Sequence, residues 1–191
     1  MKDVKSMNRK DVTKFLSKLL ENDRFSGVGK YWSKEVTVDY GKAILTDIGY
    51  ESITRRVDYM QFIPENQVSI SGLEKGIFIC YEIKSCKQDY LSGHGQNFIG
   101  EKNYLVTNMI TYKELKESGE LDKLPYRVGI LVAMPCNKRY KDNRIQEEYD
   151  NPTSIENQNV EDWYFETVKR AGKMNRQKSS LELLFCMLRS K

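Results

Sequence analysis

Two acidic residues and a lysine occupy positions from which they could act together in metal or acid–base chemistry. Residues 76–84 begin with a near-continuous apolar run, which predicts a strand buried on both faces. Alternation along that strand points Glu82 and Lys84 to the same side at its end. Asp58 lies on the preceding predicted strand, 53–63, and a hairpin pairing of the two strands places Asp58 opposite Glu82.

Converging carboxylates at this point favour a bound cation. Two negative charges repel each other, and Mg²⁺, or Mn²⁺ in its place, relieves that repulsion because such hard cations prefer oxygen ligands. The backbone carbonyl of Ile83 is expected to add a third oxygen to those of Asp58 and Glu82. The cation would lower the pKa of a bound water, and Lys84 would orient or deprotonate that water. This combination suits in-line hydrolysis of a phosphodiester.

Each of these residues also has a structural interpretation. Glu82 and Lys84 can form a surface salt bridge at the end of a strand, and Asp58 can be a charge in a turn or hairpin. An acid-x-Lys sequence alone occurs by chance in most proteins. Its predictive weight here comes from its position at the end of a buried strand that follows a strand carrying Asp58.

The elements that must position these residues follow from hydrophobic periodicity. A helix is predicted at 9–21 from a stripe of five apolar residues: Val12, Phe15, Leu16, Leu19 and Leu20. Strands are predicted at 33–40, 53–63, 76–84, 103–108 and 126–133, and a second helix at 110–118. The order predicts an α/β fold with a mixed central β-sheet flanked by helices.

The remainder of the chain is predicted to be less regular. Residues 65–75 are polar and predict a loop, and residues 137–160, which are rich in Asn, Lys and Glu, predict a long polar excursion. A C-terminal helix at about 179–190 is predicted from a capping box at 179–182 and a stripe of Leu181, Leu184, Phe185 and Leu188. We expect one domain, 1–191, with its core at 9–133.

Composition limits the classes of function. The net charge of +4 is compatible with a nucleic-acid partner, provided that positive charge is concentrated on one surface. The four cysteines form no Cys-x-x-Cys pair and the chain has one histidine, which argues against a zinc site. Residues 1–5 lack the apolar segment of a signal peptide, and no apolar run approaches the length of a membrane span. We therefore expect a cytoplasmic protein with reduced thiols and no membrane partner.

Asp58 followed by Glu82-Ile83-Lys84 resembles the signature of the PD-(D/E)xK nuclease superfamily, an acid on one strand and acid-x-Lys on the next. The resemblance covers about residues 9–133 and implies a restriction-endonuclease-like core. Residues 85–90 are also similar to small DNA-repair and phage-encoded members. Many relatives carry a further acid near the first helix or strand, and Glu35, at the head of the first predicted strand, looks like its counterpart. A departure from the signature is Val57, which stands where the pattern has Pro.

Several other residues are candidates for substrate contact. His94 lies in a Gly-rich loop just after the motif, where it could contact a phosphate or transfer a proton, and Gln96 and Lys102 could orient water or phosphate. Lys138 and Arg139 open one basic run, and a second spans 169–178; either could contact a nucleic-acid backbone. The structural alternatives are a loop residue bonded to backbone for His94 and solvated faces for the basic runs.

The resemblance implies a DNA nuclease that depends on Mg²⁺ or Mn²⁺, and a homodimer is possible because many relatives dimerise. The alternative is a nucleic-acid- or protein-binding accessory protein on the same fold that has no catalytic activity. Asp58, Glu82 and Lys84 are all present, whereas a degenerate member is expected to lose one of them. The sequence therefore favours the active enzyme.

Overall fold

A six-stranded mixed β-sheet forms the centre of the computed structural model, in which residues 8–190 are described. The strands are β1 (Tyr31–Val38), β2 (Ala43–Thr46), β3 (Gly49–Ser52), β4 (Arg55–Ile63), β5 (Ile77–Ile83), β6 (Lys102–Asn108), β7 (Gly129–Pro135) and β8 (Trp163–Lys169). The helices are α1 (Arg9–Leu20), α2 (Ile70–Glu74), α3 (Lys87–Leu91), α4 (Met109–Glu117), α5 (Arg144–Asp150) and α6 (Ser180–Arg189). Residues 1–5, on which the prediction of no signal peptide rests, lie outside the described residues.

The sheet has the order β1-β4-β5-β6-β7-β8, and β2 and β3 form a separate hairpin. Strands β5, β6 and β7 are parallel to one another, whereas β1 with β4, β4 with β5, and β7 with β8 pair antiparallel. The predicted α/β class with a mixed sheet is thus confirmed. β5 has neighbours on both sides, and all its residues after Ile77 are buried, which confirms the prediction for this strand.

Helices cover both faces of the sheet. On one face α1 buries its whole predicted stripe against a cluster that includes Tyr81, Ile83 and Leu131. Each fully buried Leu or Phe side chain contributes about 1.5–3 kcal/mol relative to exposure, so this stripe holds α1 in place. On the other face α6 packs against β1, β4 and β5, and α4 packs against β6 and β7. The side chains of β5, which point alternately to the two faces, therefore pack against a helix layer on each side.

The first strand lies two residues earlier than predicted. Asp39 and Tyr40, which the sequence placed in a strand, follow β1, and Asp39 adopts a left-handed backbone conformation with φ 56°. The described residues include three strands beyond the five that were predicted. Two form the exposed hairpin β2–β3, and the third, β8, completes the sheet beside β7. Residues 163–169 are rich in aromatic and β-branched residues, and this composition is the sequence feature from which β8 could have been predicted.

Two segments that were predicted to be loops contain helices. Ser69 caps α2 by accepting a hydrogen bond from the amide of Gly72 at 3.0 Å. In the polar excursion, α5 carries Glu148, whose completely buried carboxylate accepts from the amide of Thr153 at 2.6 Å and pairs with Lys138 at 2.6 Å. These bonds hold residues 138–153 together. The polar residues of this segment therefore include internal ion pairs as well as side chains in contact with solvent.

The apolar stripe predicted for the C-terminal helix was assigned to the wrong face. Of the predicted stripe, Leu184 is partly buried against the sheet, whereas Leu181, Phe185 and Leu188 are exposed. The buried residues of the helix are Leu183, Cys186 and Met187. The predicted cap is confirmed, since the Ser179 hydroxyl accepts from the amide of Glu182 at 3.1 Å. Both faces of this helix are apolar, and periodicity alone does not say which one meets the sheet.

Within the described residues, no helix has both the length and the apolar character that crossing a bilayer requires.

Candidate active site

Three carboxylates form a row across three adjacent strands. The antiparallel register of β4 and β5 pairs Tyr59 with Tyr81, so its continuation sets Asp58 opposite Glu82. In the same way, the pairs on either side, Lys34 with Tyr59 and Val36 with Val57, set Glu35 opposite Asp58. The sheet therefore brings together the acids that the sequence singled out, one from each of β1, β4 and β5.

Glu82 is the buried end of this row, with a fully inaccessible side chain. Its Oε1 accepts from the amide of Asn97 at 3.2 Å, but Oε2 is buried and has no hydrogen-bond partner within residues 8–190. Burial raises the pKa of Glu82 to about 10, and the nearby Asp58 carboxylate adds to the rise. An unpartnered buried carboxyl oxygen is costly, and a cation or a proton would relieve that cost.

Asp58 links β4 to β5 through its side chain. Its Oδ2 accepts from the amide of Ile83 at 2.8 Å, and its other oxygen makes no hydrogen bond within the described chain. Burial raises the pKa of Asp58 too, although the hydrogen bond from Ile83 and the charge of Lys84 oppose that rise. The carboxylate is thus held rigidly with one oxygen left over.

Lys84 is almost completely buried, with 3% of its surface exposed. Its ammonium donates to the backbone carbonyl of His94 and lies 4.0 Å from Oδ1 of Asp89. No ion pair joins it to Glu82 among the described residues, and both side chains are buried. These positions exclude the alternative of a Glu82–Lys84 salt bridge on the surface.

The loop after the motif closes over Glu82 and Lys84. Gly95 has φ +68°, and a Cβ atom there would lie 3.2 Å from Oε2 of Glu82 and 3.4 Å from Nζ of Lys84. A side chain would therefore be strained in its backbone and crowded against both functional groups. Gly95 allows the backbone to approach the site this closely.

Asp89 is a member of the site that sequence reasoning missed. Its Oδ2 accepts from the amide and hydroxyl of Ser85, both at 3.2 Å, and its Oδ1 pairs with Arg9. It therefore joins the strand end to α1 beside the Lys84 ammonium. An acid five residues after Lys84 was visible in the sequence, but its partner lies 80 residues away.

Glu35 lies at the fifth position of β1 rather than at its head, with φ 54°. Its side chain is 57% exposed and pairs with Nε of Arg56 at 2.8 Å. Glu35 is thus the solvent-exposed end of the row. Its negative charge lies near Asp58 and, after burial, contributes to raising the pKa of Asp58.

The remaining candidates divide into those near the site and those away from it. His94 lines the same cleft as Asp58 and holds Lys84 through its carbonyl. Gln96 is used structurally, because its Nε2 donates to the carbonyl of Tyr90 at 3.0 Å near the end of α3. Lys102 begins β6 beside Ile79, so it lies toward the opposite end of the sheet from Glu82.

The basic runs are also placed away from the site. Lys138 is bound to buried Glu148, and the Arg139 guanidinium lies 5.0 Å from the centre of the Tyr164 ring. In the second run, Arg176 pairs with Glu101 and Lys178 pairs with Asp39. Lys138 and Arg139 therefore contact internal partners and are absent from the lining of the cleft that contains Asp58, and their role in substrate binding stays a prediction.

An open cleft of about 1100 Å³ leads to the site. Asp58, Ile83 and Lys84 line it, and Glu82 lies immediately behind them under Gly95. Its other walls come from α1, β1 and the start of β4. The basic side chains among the lining residues are those of Arg9, Lys14, Lys18, Lys34, Arg55, Arg56 and Lys84.

The oxygen atoms present fit a magnesium-type cation. Within residues 8–190 no group of three or more His, Cys, Asp or Glu side chains is arranged to hold a metal ion. Mg²⁺, however, is commonly held by one or two carboxylates together with waters and substrate phosphate oxygens. Two converging carboxylates, one with a buried oxygen that has no partner, match that requirement.

Comparisons of the chain with models of protein families, with curated proteins and with solved structures found no match.

Proposed function

We propose that this protein is a metal-dependent nuclease that hydrolyses phosphodiester bonds, with DNA as its substrate. The observation that carries the proposal is the juxtaposition of Asp58 and Glu82 on paired strands, with Lys84 beside them, at a cleft rich in basic side chains. The resemblance of these three residues to the PD-(D/E)xK signature supports the same assignment. The burial of Glu82 and Lys84, with Asp58 half-buried beside them, favours a catalytic arrangement over a solvated cluster of surface charges.

Asp58, Glu82 and the carbonyl of Ile83 are the groups that would hold Mg²⁺ or Mn²⁺. A cation bound there would supply an activated water and polarise the phosphate. Glu82, whose pKa is raised to about 10, is protonated at neutral pH and would release that proton when it becomes a ligand. Asp58 stays oriented through its bond to the Ile83 amide.

Lys84 acts on the attacking water and on the developing charge. An ammonium has no lone pair, so it is not a ligand of the cation. The His94 carbonyl and Asp89 fix its position, and the 93–97 loop shields it from solvent. A charge held in a shielded site stabilises a transition-state anion more strongly than the same charge in water.

A nicking assay on plasmid DNA with Lys84→Met tests the proposal. Methionine keeps the length and volume of the side chain but removes the charge, so the fold should persist. With Mg²⁺ or Mn²⁺ the wild type should nick the plasmid and chelator should prevent it. Lys84→Met should cleave about 10² to 10⁴-fold more slowly, while calorimetry should show nearly unchanged cation binding.

Lys102→Met is the matched control, because Lys102 is a partly buried lysine near the other end of the sheet. It should cleave at the wild-type rate. Equal cleavage by Lys84→Met and the wild type would refute the mechanism. If the wild type binds DNA but cleaves neither DNA nor RNA with either cation, the alternative of a binding protein without catalysis replaces this proposal.

A further inference from the structure

The outer face of α1 forms one wall of the cleft. Its apolar stripe is buried on the sheet, so the opposite side of the helix is exposed and polar. Lys14 and Lys18 lie on that side and both line the cleft. They are four positions apart, which is about 6 Å along the helix axis. Long lysine side chains at this spacing can reach neighbouring phosphates of one strand, which follow each other about every 3.4 Å of duplex axis.

These two lysines differ from the arginines of the cleft in having no internal partner. Arg55 pairs with Asp39 at 2.7 Å, and Arg56 pairs with Glu35 at 2.8 Å. Within residues 8–190 the ammonium groups of Lys14 and Lys18 make no hydrogen bond or ion pair, and both residues are exposed. Their charges are therefore uncompensated and face the same space as Asp58.

The cleft lacks a surface on which bases could stack. Tyr59 is the only Phe, Tyr or Trp that lines it among the described residues, and its side chain is 4% exposed. Its hydroxyl donates to Oε1 of Glu21 at 2.7 Å, so the ring is fixed in the wall. The His94 imidazole is a single small ring. Proteins that bind single strands without sequence preference normally combine positive charge with several aromatic rings.

We infer that Lys14 and Lys18 bind the phosphate backbone of duplex nucleic acid, without reading its sequence, and lead one strand to Asp58 and Glu82. This inference rests on the proposed function for the identity of the ligand. Recognition is by charge along one strand, since the wall offers ammonium groups and no stacking platform. Paired bases stay within the duplex and need no contact with the protein.

The experiment measures binding of wild type and of the double variant K14E/K18E to fluorescent duplex and single-stranded DNA of equal length, with chelator present to prevent cleavage. The salt dependence of affinity is recorded for each. Wild type should bind duplex more tightly than single strand and with similar affinity for unrelated sequences. K14E/K18E should bind more weakly, and the slope of log K against log salt should become shallower by about 2.

K30E/K75E is the matched control, with the same change of charge. Lys30 directly precedes β1 and Lys75 lies just before β5. Both are exposed and lie at the end of the sheet opposite Glu82. This variant should bind like the wild type except for a small effect of net charge.

The outcomes separate this inference from the proposed function. If wild type nicks DNA with Mg²⁺ but K14E/K18E binds no more weakly than K30E/K75E, the assignment of Lys14 and Lys18 is wrong and the nuclease proposal stands. Tighter binding of single strands would overturn the duplex assignment. If wild type binds duplex through these lysines but never cleaves it, the inference survives and the nuclease proposal fails.

Discussion

Glu82 has an oxygen atom that is buried without a hydrogen-bond partner in the described part of the chain. Such a group lowers stability in the absence of a ligand, because its ionised form has lost its hydration. Structures commonly keep strained or unsatisfied groups where a ligand will use them. The feature that supports cation binding should therefore also reduce the stability of the cation-free protein.

Glu82→Gln should stabilise the protein in chelator at alkaline pH. The folded-state pKa of Glu82, about 10, lies above the ordinary value of 4.5. The folded state therefore holds a proton that the unfolded state has released, and wild-type stability falls as pH rises between these two values. Because the side-chain amide of Gln does not ionise, Glu82→Gln does not lose stability over this pH range. In urea unfolding, the advantage of Glu82→Gln should grow by up to about 1.4 kcal/mol for each pH unit.

Glu35→Gln is the control for this measurement, because its exposed carboxylate keeps most of its hydration. The free energy of unfolding of that variant should differ little from wild type across the same pH range. A Glu82→Gln protein that is less stable than wild type at pH 8, or equally stable at every pH, would contradict the burial argument. Calorimetry should also show that Glu82→Gln has lost most of its Mg²⁺ affinity.

Alternation along strands is the reason why part of the site was predictable. Asp58, Glu82 and Lys84 were each predicted from the local pattern of their own strand. The pairing register of β4 and β5 then brings Asp58 and Glu82 together. Asp89 and Gly95 were missed because their roles depend on contacts from separate loops and helices. Lys102 follows the motif in sequence but pairs with Ile79, three positions before Glu82 on β5, and it is absent from the lining of the cleft.

At the scale of elements, one charge cluster fastens the C-terminal segment to the edge of the sheet. Asp39 is 5% exposed and accepts from Lys178, from Arg55 at 2.7 Å and from Lys42 at 3.2 Å. Burial alone would raise the pKa of Asp39, but these three cations hold it well below its usual range. The cluster therefore joins the residue after β1 to the start of β4 and to the segment before α6.

Asp39→Asn should lower the free energy of unfolding at pH 7 by roughly 2 kcal/mol, because the buried Asp39 carboxylate loses its charge-assisted hydrogen bonds to cations that are themselves partly exposed. Asn tolerates the left-handed backbone at this position, so the change is mainly electrostatic. Asp39 has a depressed pKa in the folded state, so its contribution is present above the unfolded value near 4 and is lost as pH falls through the folded value. The difference in the free energy of unfolding between Asp39→Asn and wild type should therefore become smaller below pH 4.

Urea unfolding at pH 7 and pH 3 checks this prediction, with Asp47→Asn as the control. Asp47 is exposed at the turn of the β2–β3 hairpin, and its substitution should change stability by less than about 0.5 kcal/mol. A loss for Asp39→Asn that is as small as that of the control would show that the cluster contributes no net stability.

Helices with a single apolar face were predictable from the sequence. Helices whose packing depends on contacts with distant residues were not. The stripe of α1 has one apolar side and was assigned correctly, but α6 is apolar on two sides and only packing distinguishes them. The helix α5 was hidden in a polar segment because its anchoring depends on a buried Glu148–Lys138 pair. Ion pairs over a distance leave no periodic signal in a sequence.

At the scale of the whole molecule, burial is concentrated in the middle of the sheet. Every residue of β7 is buried, as is every residue of β5 after Ile77, whereas the residues of β2 and β3 are almost all exposed. Local opening costs least where few apolar contacts must break. The hairpin β2–β3 should therefore open independently of the sheet.

Hydrogen exchange should show this difference directly. Amides of β5, β6 and β7 should exchange last, in step with global unfolding, and those of β2 and β3 should exchange first. Peptide-resolved mass spectrometry without denaturant and in low urea measures both groups in one sample. Protection of the hairpin equal to that of β5 would mean that it is covered by something other than this chain's own core.

The row of carboxylates has a consequence for how refolding can be monitored. Each of β1, β4 and β5 supplies one member, and side chains alternate along a strand, so a slip of β4 by one residue would replace Asp58 by Val57 or Tyr59. Such a slipped sheet would keep nearly the same strand content, and far-ultraviolet circular dichroism would not distinguish it from the native one. If the proposed function holds, recovery of affinity for a divalent cation would distinguish them, because the proposed ligands Asp58 and Glu82 converge only when β4 and β5 are aligned to the residue.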